Sequence, residues 1–554
     1  MAIWQDTEKS ANISTESTQD SADSSSSLPG GYTAAEGLNS SVPTYQDASG
    51  APVETSSPLG YSVGFLTAFC LNINQMVGTG IFSTPGTILS GVGSVGLSMI
   101  YWFIGYLLSQ SILSLYLEYA SYFPSRSGSE VVYLEQAFPK PKYLIPTVFA
   151  AKHVIFSFAS SNAVVMAQYI FGIGGISYTP WQMKGVAVAM YTLAYFVAIA
   201  STKWSLRIVV WFGFIKILTL LLISIAGLVV LGGHTKVEDP GNWSDPWRGT
   251  EEASAYGATN AMVKLIFSYA GYSNAFAVVN EIKNPVKTLR WSAPISLFLV
   301  TGLYILVNVA YFSAASREEI LASKQVAASI FFQKVFGKHG ASNALDVLVC
   351  LSAFGNLIAV LVMTSRLLRE TGRQAFWHTL GPYTVVWTLT ILMIICPPAG
   401  DAFNFVVDLS VYPTNIFNFL LVIGVLLIRK RRKALNLPRP EYRTWSISIA
   451  FALLVTLYML IAPWYPPDTG ANGGDVSFWY GTYLVVGIGL LTACVVYYYF
   501  WIDLIPKYKG YEFRQTVVQY EDGSIAHQLV KVPKEELSTW DSQHDATGRS
   551  LTST

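Results

Sequence analysis

Twelve apolar runs, each about the length that crosses the hydrocarbon of a bilayer, recur along the chain between residues 61 and 502. They fall at roughly 61–89, 95–121, 144–172, 183–201, 206–232, 256–280, 292–315, 344–367, 382–396, 402–428, 446–463 and 479–502. The ninth is short. A chain patterned in this way must hide its backbone polar groups from lipid, which points to an all-α membrane protein. Charge supports this: 12% of the 554 residues are charged and 52% are hydrophobic, whereas a soluble protein carries about 25% charged residues to cover its surface. A net charge of +1 leaves no footprint for a nucleic-acid partner. Cys70, Cys350, Cys396 and Cys494 lie in or beside apolar runs, so neither a disulfide framework nor metal spacing is expected. Paired catalytic carboxylates and nucleophile constellations are also missing, so no enzyme, cofactor or metal is expected.

Residues 1–60 are polar, rich in Ser, Thr, Gly, Asp and Glu, and read as a disordered tail rather than a secretory leader. With that tail inside, the inner loops carry eighteen Lys and Arg between Arg126 and Arg443, including RKRRK at 429–433. The outer loops carry six, with Lys184 ambiguous. This excess places both tails in the cytosol, although the same cluster would suit anionic lipid. Tyr497, Tyr498, Tyr499 and Trp501 then form an aromatic belt at the inner surface, followed by a cytosolic tail over 503–554.

Two spans carry helix breakers. The first contains VGTGIFSTP at 77–85, and the sixth contains LIFSYAGYSNAF with Ala270 and Gly271 midway. One Gly-x-Gly alone suits close helix packing. Two breaks at corresponding positions divide ten spans into two groups of five, and because five is odd the groups have inverted topology. That pattern marks secondary transporters with a site near the midplane. At each break, N–H groups at one half-helix end can take an anion and carbonyls at the other a cation, which matches an amino acid zwitterion. The domain plan is a tail over 1–60, a transporter domain over 61–502 and a tail over 503–554. The domain divides into repeats at 61–232 and 256–428, plus two further helices at 446–502.

VGTGIFSTP resembles the first-helix signature of the amino acid-polyamine-organocation superfamily. FSYAGYSNAFAVVNEIKNPVKTLRWS resembles its sixth helix and following loop, LEYASYFPSRSGSEVVYLEQAF its second-helix exit, and SRLLRETGRQ its loop after the eighth helix. Within the superfamily the chain looks most like L-type amino acid transporters and fungal methionine permeases. The resemblance implies a LeuT-like fold importing neutral amino acids by alternating access. Backbone amides around Thr79, Gly80 and Ile81, with the Thr79 hydroxyl, would bind the substrate carboxylate. Carbonyls near Met76, Val77, Phe267, Ser268 and Ala270 would bind its ammonium, and Phe267 would be the aromatic gate. Where relatives have Gly-Gly-Trp or similar, this chain has Ala270, Gly271, Tyr272, Ser273 and Asn274, so the pocket for the side chain can differ in polarity.

Ionisable residues inside spans are costly and default to functional candidates. Lys216 in WFGFIKILTLLL matches a fifth-helix lysine of sodium-independent relatives, where its ammonium takes roughly the place of sodium and bonds to carbonyls of the first helix; a purely structural pin is the alternative. His153 suits either a pH response or a bond between helices. Glu118 suits a cytoplasmic gate or a loop anchor. Lys264 can snorkel outward, Asp346 and Asp408 are not assignable to the pathway, and Glu281, Lys283 and Arg290 suit local ion pairing at Pro285. Val326, Ile330, Phe331 and Val335 predict an amphipathic outer helix, over the vestibule or at the lipid surface. Asn242-Trp243-Ser244 is a possible glycosylation sequon; Asn12 is on the wrong side for one.

The expected partners are an amino acid, protons and lipid, with ubiquitin-ligase or arrestin-type adaptors on the cytosolic tails, where Lys9 is a candidate acceptor. Proton symport across the plasma membrane is the first choice. Amino acid exchange and a permease-like sensor that does not transport are the alternatives.

Overall fold

The computed structural model describes residues 60–544 except 125–127, 142, 157–158, 201, 323–326, 338–340, 374–379, 398–400, 435, 438, 469, 473 and 520–524. The expectations for residues 1–59, Lys9 and Asn12 among them, lie outside the described residues. In chain order the helices are α1 (Phe65–Met76), α2 (Gly80–Ser83), α3 (Pro85–Val92), α4 (Val95–Tyr122), α5 (Glu130–Ala137), α6 (Leu144–Phe156), α7 (Ser160–Gly174), α8 (Pro180–Ala200), α9 (Thr202–Leu231) and α10 (Ala255–Tyr269). A 3-10 turn at Asn274–Glu281 precedes α11 (Pro285–Ala314), α12 (Arg317–Ala322), α13 (Ala327–Phe336), α14 (Ala341–Arg373), α15 (Leu380–Ile395), α16 (Ala402–Ala434), α17 (Ser446–Ile461) and α18 (Thr482–Tyr498). The chain closes with α19 (Ile505–Lys509), an antiparallel hairpin of β1 (Tyr511–Gln519) and β2 (Ile525–Pro533), and α20 (Leu537–Gln543).

Among the described residues, ten helical stretches are long and apolar enough to cross a membrane. The other two expected spans are shorter: the ninth is the 16-residue α15, and the third is divided between α6 and α7 around a non-helical Ala159. The polar sequence Ser160-Ser161-Asn162 follows this interruption. Such side chains compete with the backbone for hydrogen bonds and loosen a helix where they cluster.

Helix α9 illustrates how the bundle meets lipid. Trp204, Trp211, Leu218 and Ile225, seven residues apart, are all more than 60% exposed. Lys216, about 160° from Leu218 around the helix at 3.6 residues per turn, is fully buried. One face is therefore apolar toward the bilayer, and the other delivers a cation to the interior.

Both breaks predicted from sequence are present. α1 ends at Met76, and Val77, Gly78 and Thr79 separate it from α2, which continues through Thr84 into α3. α10 ends at Tyr269, and residues 270–273 are non-helical. α3 packs along α10, while α1 packs against the 274–281 turn, so the two broken helices run antiparallel. Gly271 makes this approach possible. Its φ of +118° is strained for any side chain, and a Cβ there would lie 2.6 Å from Gln75 Cβ.

The tail after 503, whose fold the sequence leaves open, carries a hairpin and a short helix among its described residues up to 544: β2 packs against α14, and Trp501 stacks on Phe513 of β1. Three expectations are narrowed or changed. The outer helix exists as α13, but Phe331 and Phe332 are its buried aromatics and it packs on α11 and α14 rather than lying at a lipid surface; Val326 is outside the described residues. Asn242 is buried with its amide donating to the Phe312 and Ala315 carbonyls, so the sequon nitrogen is committed within the fold. Glu281 pairs not with its neighbours but with Arg366 on α14, at 2.9 Å.

Candidate functional site

The C-terminal end of α1 would leave four carbonyls without helical partners. Side chains from three helices, α9, α11 and α14, meet the carbonyls at this end. Lys216 donates to Asn74 O and Val77 O, both at 2.7 Å. Asn356 of α14 donates to Asn74 O and Gln75 O, Ser352 to Val77 O, and Tyr304 of α11 to Met76 O at 2.7 Å. The contact expected of Lys216 is thus present: a fully buried ammonium caps the break. Val77 O accepts two bonds, and so does Met76 O, which also takes the Gly78 N–H at 2.9 Å, so the lone pairs of both are filled.

Thr79 is tied down from another side. Its N–H and hydroxyl both donate to Asn162 Oδ1, at 3.2 and 2.8 Å, and Asn162 donates to Asn356. Gly80 and Ile81 open the next helix, where their amides have no intrahelical acceptor. Gly80 is also the pivot between the two broken helices, since a Cβ there would lie 2.8 Å from Ser268 Cα. Ser268 Oγ donates to Lys264 O and meets Thr84 Oγ1 at 3.0 Å, and Tyr304 reaches Ser268 O as well. Asn274 donates to Leu71 O, and Asn72 Oδ1 accepts from Ala275, which stitches the far halves together.

A cavity of about 240 Å³ opens between these breaks. Of the residues expected at the site, Met76, Thr79, Gly80, Phe267, Ala270, Ser273 and His153 line it. Val77, Ile81, Ser268, Asn274, Lys216 and Glu118 stand behind the wall. Phe267 packs edge-on against Phe403 of α16 at 5.9 Å, closing one end. The His153 ring stacks on Phe149 of its own helix, and among the described residues Nε2 has no partner. Gln75 Oε1 and Glu130 Oε2, also on the wall, have none either among the described residues.

Asn162, Asn356, Glu130 and Lys152 also line the cavity, and a reading of the sequence passes over them. Lys152 donates to Thr414 at 3.1 Å and lies 5.5 and 5.6 Å from the Phe149 and Phe417 ring centres. Glu130 accepts from the Tyr116 hydroxyl at 2.6 Å. Signals for three of them are present: Ser160-Ser161-Asn162 and Lys152-His153 are polar intrusions in an apolar run, and Asn356 interrupts the eighth.

Charged staples hold both ends. On the face where the chain enters and leaves the bundle, Glu281 pairs with Arg366 and its carbonyl accepts from Val63 N–H. On the same face Glu118 is fully buried and clasped by Arg429 at 2.8 and 2.7 Å, by Tyr122 at 2.5 Å and by the Thr444 amide. Its geometry is that of an anchor. At the opposite, distal face Lys264 does not snorkel. It is fully buried, 2.5 Å from Asp408 of α16 and 2.9 Å from Asp475 in the loop before α18.

Two antiparallel broken helices around a cavity of mixed polar and apolar lining, inside an apolar bundle, define a membrane protein built to bind a small solute. Residues 63–491 match the amino acid permease family, and the chain belongs to it. It is 34% identical to the high-affinity methionine permease of Saccharomyces cerevisiae, over 87% of this chain and 86% of that protein. It is 27% identical to the low-affinity methionine permease of the same yeast, over 86% and 89%. The b(0,+)-type amino acid transporter 1 of Mus musculus is also 27% identical, over 74% and 83%.

Proposed function

We propose that this chain is a secondary transporter that carries neutral amino acids, methionine foremost, across the plasma membrane into the cytosol by alternating access with proton symport. The face bearing the termini, with its Lys and Arg excess, lies in the cytosol. The observation that carries the reading is the pair of opposed half-helix ends around one cavity. The substrate carboxylate sits at the Gly80 and Ile81 amides, where the helix dipole favours an anion. The ammonium takes the carbonyls of Phe267 and Ala270, since Met76 O already accepts from Tyr304 and the Gly78 N–H. Val77 O, filled by Lys216 and Ser352, and Asn274, bonded to Leu71, serve the scaffold.

Lys152 and Glu130 on the wall offset one another in charge, so the lining has no net charge to draw in a cationic or an anionic side chain, whereas Ile112, Phe149, Ile266 and Met363 offer apolar surface to a neutral one. The Lys216 ammonium occupies the carbonyl cage that a sodium ion would need, which supports coupling to protons rather than sodium. The methionine permeases among the relatives support the substrate.

The experiment is uptake of labelled methionine into liposomes holding the purified chain, with and without an inward proton gradient and with internal amino acid. Accumulation driven by the gradient is expected. Uptake only against internal amino acid would replace symport by exchange, and binding without uptake would make the chain a sensor.

A further inference from the structure

A second cavity, of about 330 Å³, opens at the distal face between the end of α7, α13 and the start of α14, away from the broken helices. Asp346 projects into it from α14. The residue is 3% exposed, and its side chain bonds to Ser329 of α13, yet Oδ1 has no partner. Tyr169, 2% exposed, lines the same cavity within the field of that carboxylate, and its hydroxyl also has no partner. Among the described residues no cation is paired with Asp346. A buried carboxylate oxygen left without a partner is costly, so a ligand that supplies positive charge and hydrogen-bond donors recovers that cost.

The rest of the wall narrows the ligand class. Phe171 and Tyr178 stack at 4.7 Å and line the opening, with Tyr178 42% exposed. Aromatic faces attract organic cations, ammonium groups included. The C-terminal end of α7, whose dipole is negative, closes the floor at Gly172 and Gly175. An inorganic divalent ion has too few ligands here, since no group of three or more His, Cys, Asp or Glu converges among the described residues.

We propose that this cavity is a binding site for a primary ammonium group, with Asp346 as its counter-ion, the Tyr169 hydroxyl as acceptor and the stacked Phe171 and Tyr178 rings as its aromatic wall. On the orientation proposed above it faces outside the cell. The ammonium belongs either to an arriving amino acid, for which the cavity is a staging site, or to a free amine, for which it is a regulatory one.

The test is equilibrium binding to the purified full chain in detergent, using labelled methionine, butylamine and N-acetylmethionine. A Gly80→Val background silences the proposed central site. In that background one binding event for butylamine should remain, N-acetylmethionine should not bind, and Asp346→Asn should weaken butylamine by roughly tenfold or more. Tyr178→Leu, at the exposed rim and so without consequence for folding, should weaken it by about threefold to tenfold. Retained methionine binding in the same background marks a staging site, and butylamine binding alone marks a free-amine site. Unchanged butylamine affinity in folded Asp346→Asn, or displacement by sodium at equal concentration, overturns the proposal. The site does not depend on the transport reading: butylamine binding lost with Asp346→Asn stands even if liposomes show no uptake.

Discussion

At the scale of single residues, the site depends on two contacts that tolerate little change. Gly80 touches the Ser268 backbone where the broken helices cross, so even a methyl must push them apart. Overpacking of this kind costs about 1–3 kcal/mol. Gly80→Ala is expected to lower methionine affinity about tenfold or more while the protein still elutes as a monodisperse peak; titration calorimetry checks it, and unchanged affinity would remove the carboxylate from this end. Lys216 is the second. Charge-assisted hydrogen bonds are worth about 1.5–3 kcal/mol each, and Lys216 makes two to carbonyls of one break. Lys216→Met should lower the melting temperature and abolish the dependence of uptake on the proton gradient. If gradient-driven accumulation survives, the lysine is only a pin.

At the scale of elements, the cavity lies between two charge clusters, each tying the broken sixth helix to the surrounding scaffold. Lys264 joins α10 to α16 and to the loop before α18, while Glu281 joins the turn after α10 to α14. On the alternating-access mechanism proposed above only one end is open at a time, so each cluster is expected to break when its own end opens. Lys264→Ala leaves Asp408 and Asp475 facing each other, at a cost to the distally closed form of about 3–5 kcal/mol. Labelling of a cysteine placed at Ser410 by an impermeant reagent from the distal side should then rise. The exposed Cys396 must first be replaced by Ser, the other cysteines being buried. Arg366→Ala should lower that labelling by favouring opening at the other end. Equal labelling in all three proteins would show that the clusters do not latch.

The same elements show what the sequence makes legible. Both breaks can be read from it because glycine and proline inside an apolar run do little except interrupt a helix or let two helices pack closely, and their recurrence at matching positions decides between the two. The interruption before α7 leaves only a weak signal, the Ser160-Ser161-Asn162 cluster, because Ser and Asn are often tolerated in spans; the Thr79 contact shows why Asn162 must stand there. Lys264 misleads for a related reason: depth along a helix suggests snorkelling, but its two carboxylate partners lie 144 residues away on α16 and farther still in the loop before α18. Pairings that distant leave no local trace in a single sequence.

At the scale of the whole molecule, the basic cluster at 429–433 has a second use. Arg429 clasps Glu118, Arg431 donates to the Gln136 and Ala137 carbonyls, and Arg432 lies 4.7 Å from the Tyr122 ring centre. Glu118→Gln should remove charge from this staple and lower the melting temperature by several degrees, measured by differential scanning fluorimetry, without changing substrate affinity, because Glu118 does not line the cavity. A fall in affinity equal to that of Gly80→Ala would instead place Glu118 in the transport pathway.

The staple also imposes an order on biosynthesis. Glu118 leaves the ribosome 311 residues ahead of Arg429, and Thr444 follows later still. Until then α4 holds a carboxylate with only the Tyr122 hydroxyl as partner and its guanidinium not yet made, so the bundle cannot lock as its helices emerge one by one. Nascent chains halted at residue 428 are expected to be degraded faster in the membrane than chains halted after residue 445, which pulse-chase can measure. Late translation of a few basic residues thus becomes the checkpoint at which an unfinished carrier can be told from a finished one.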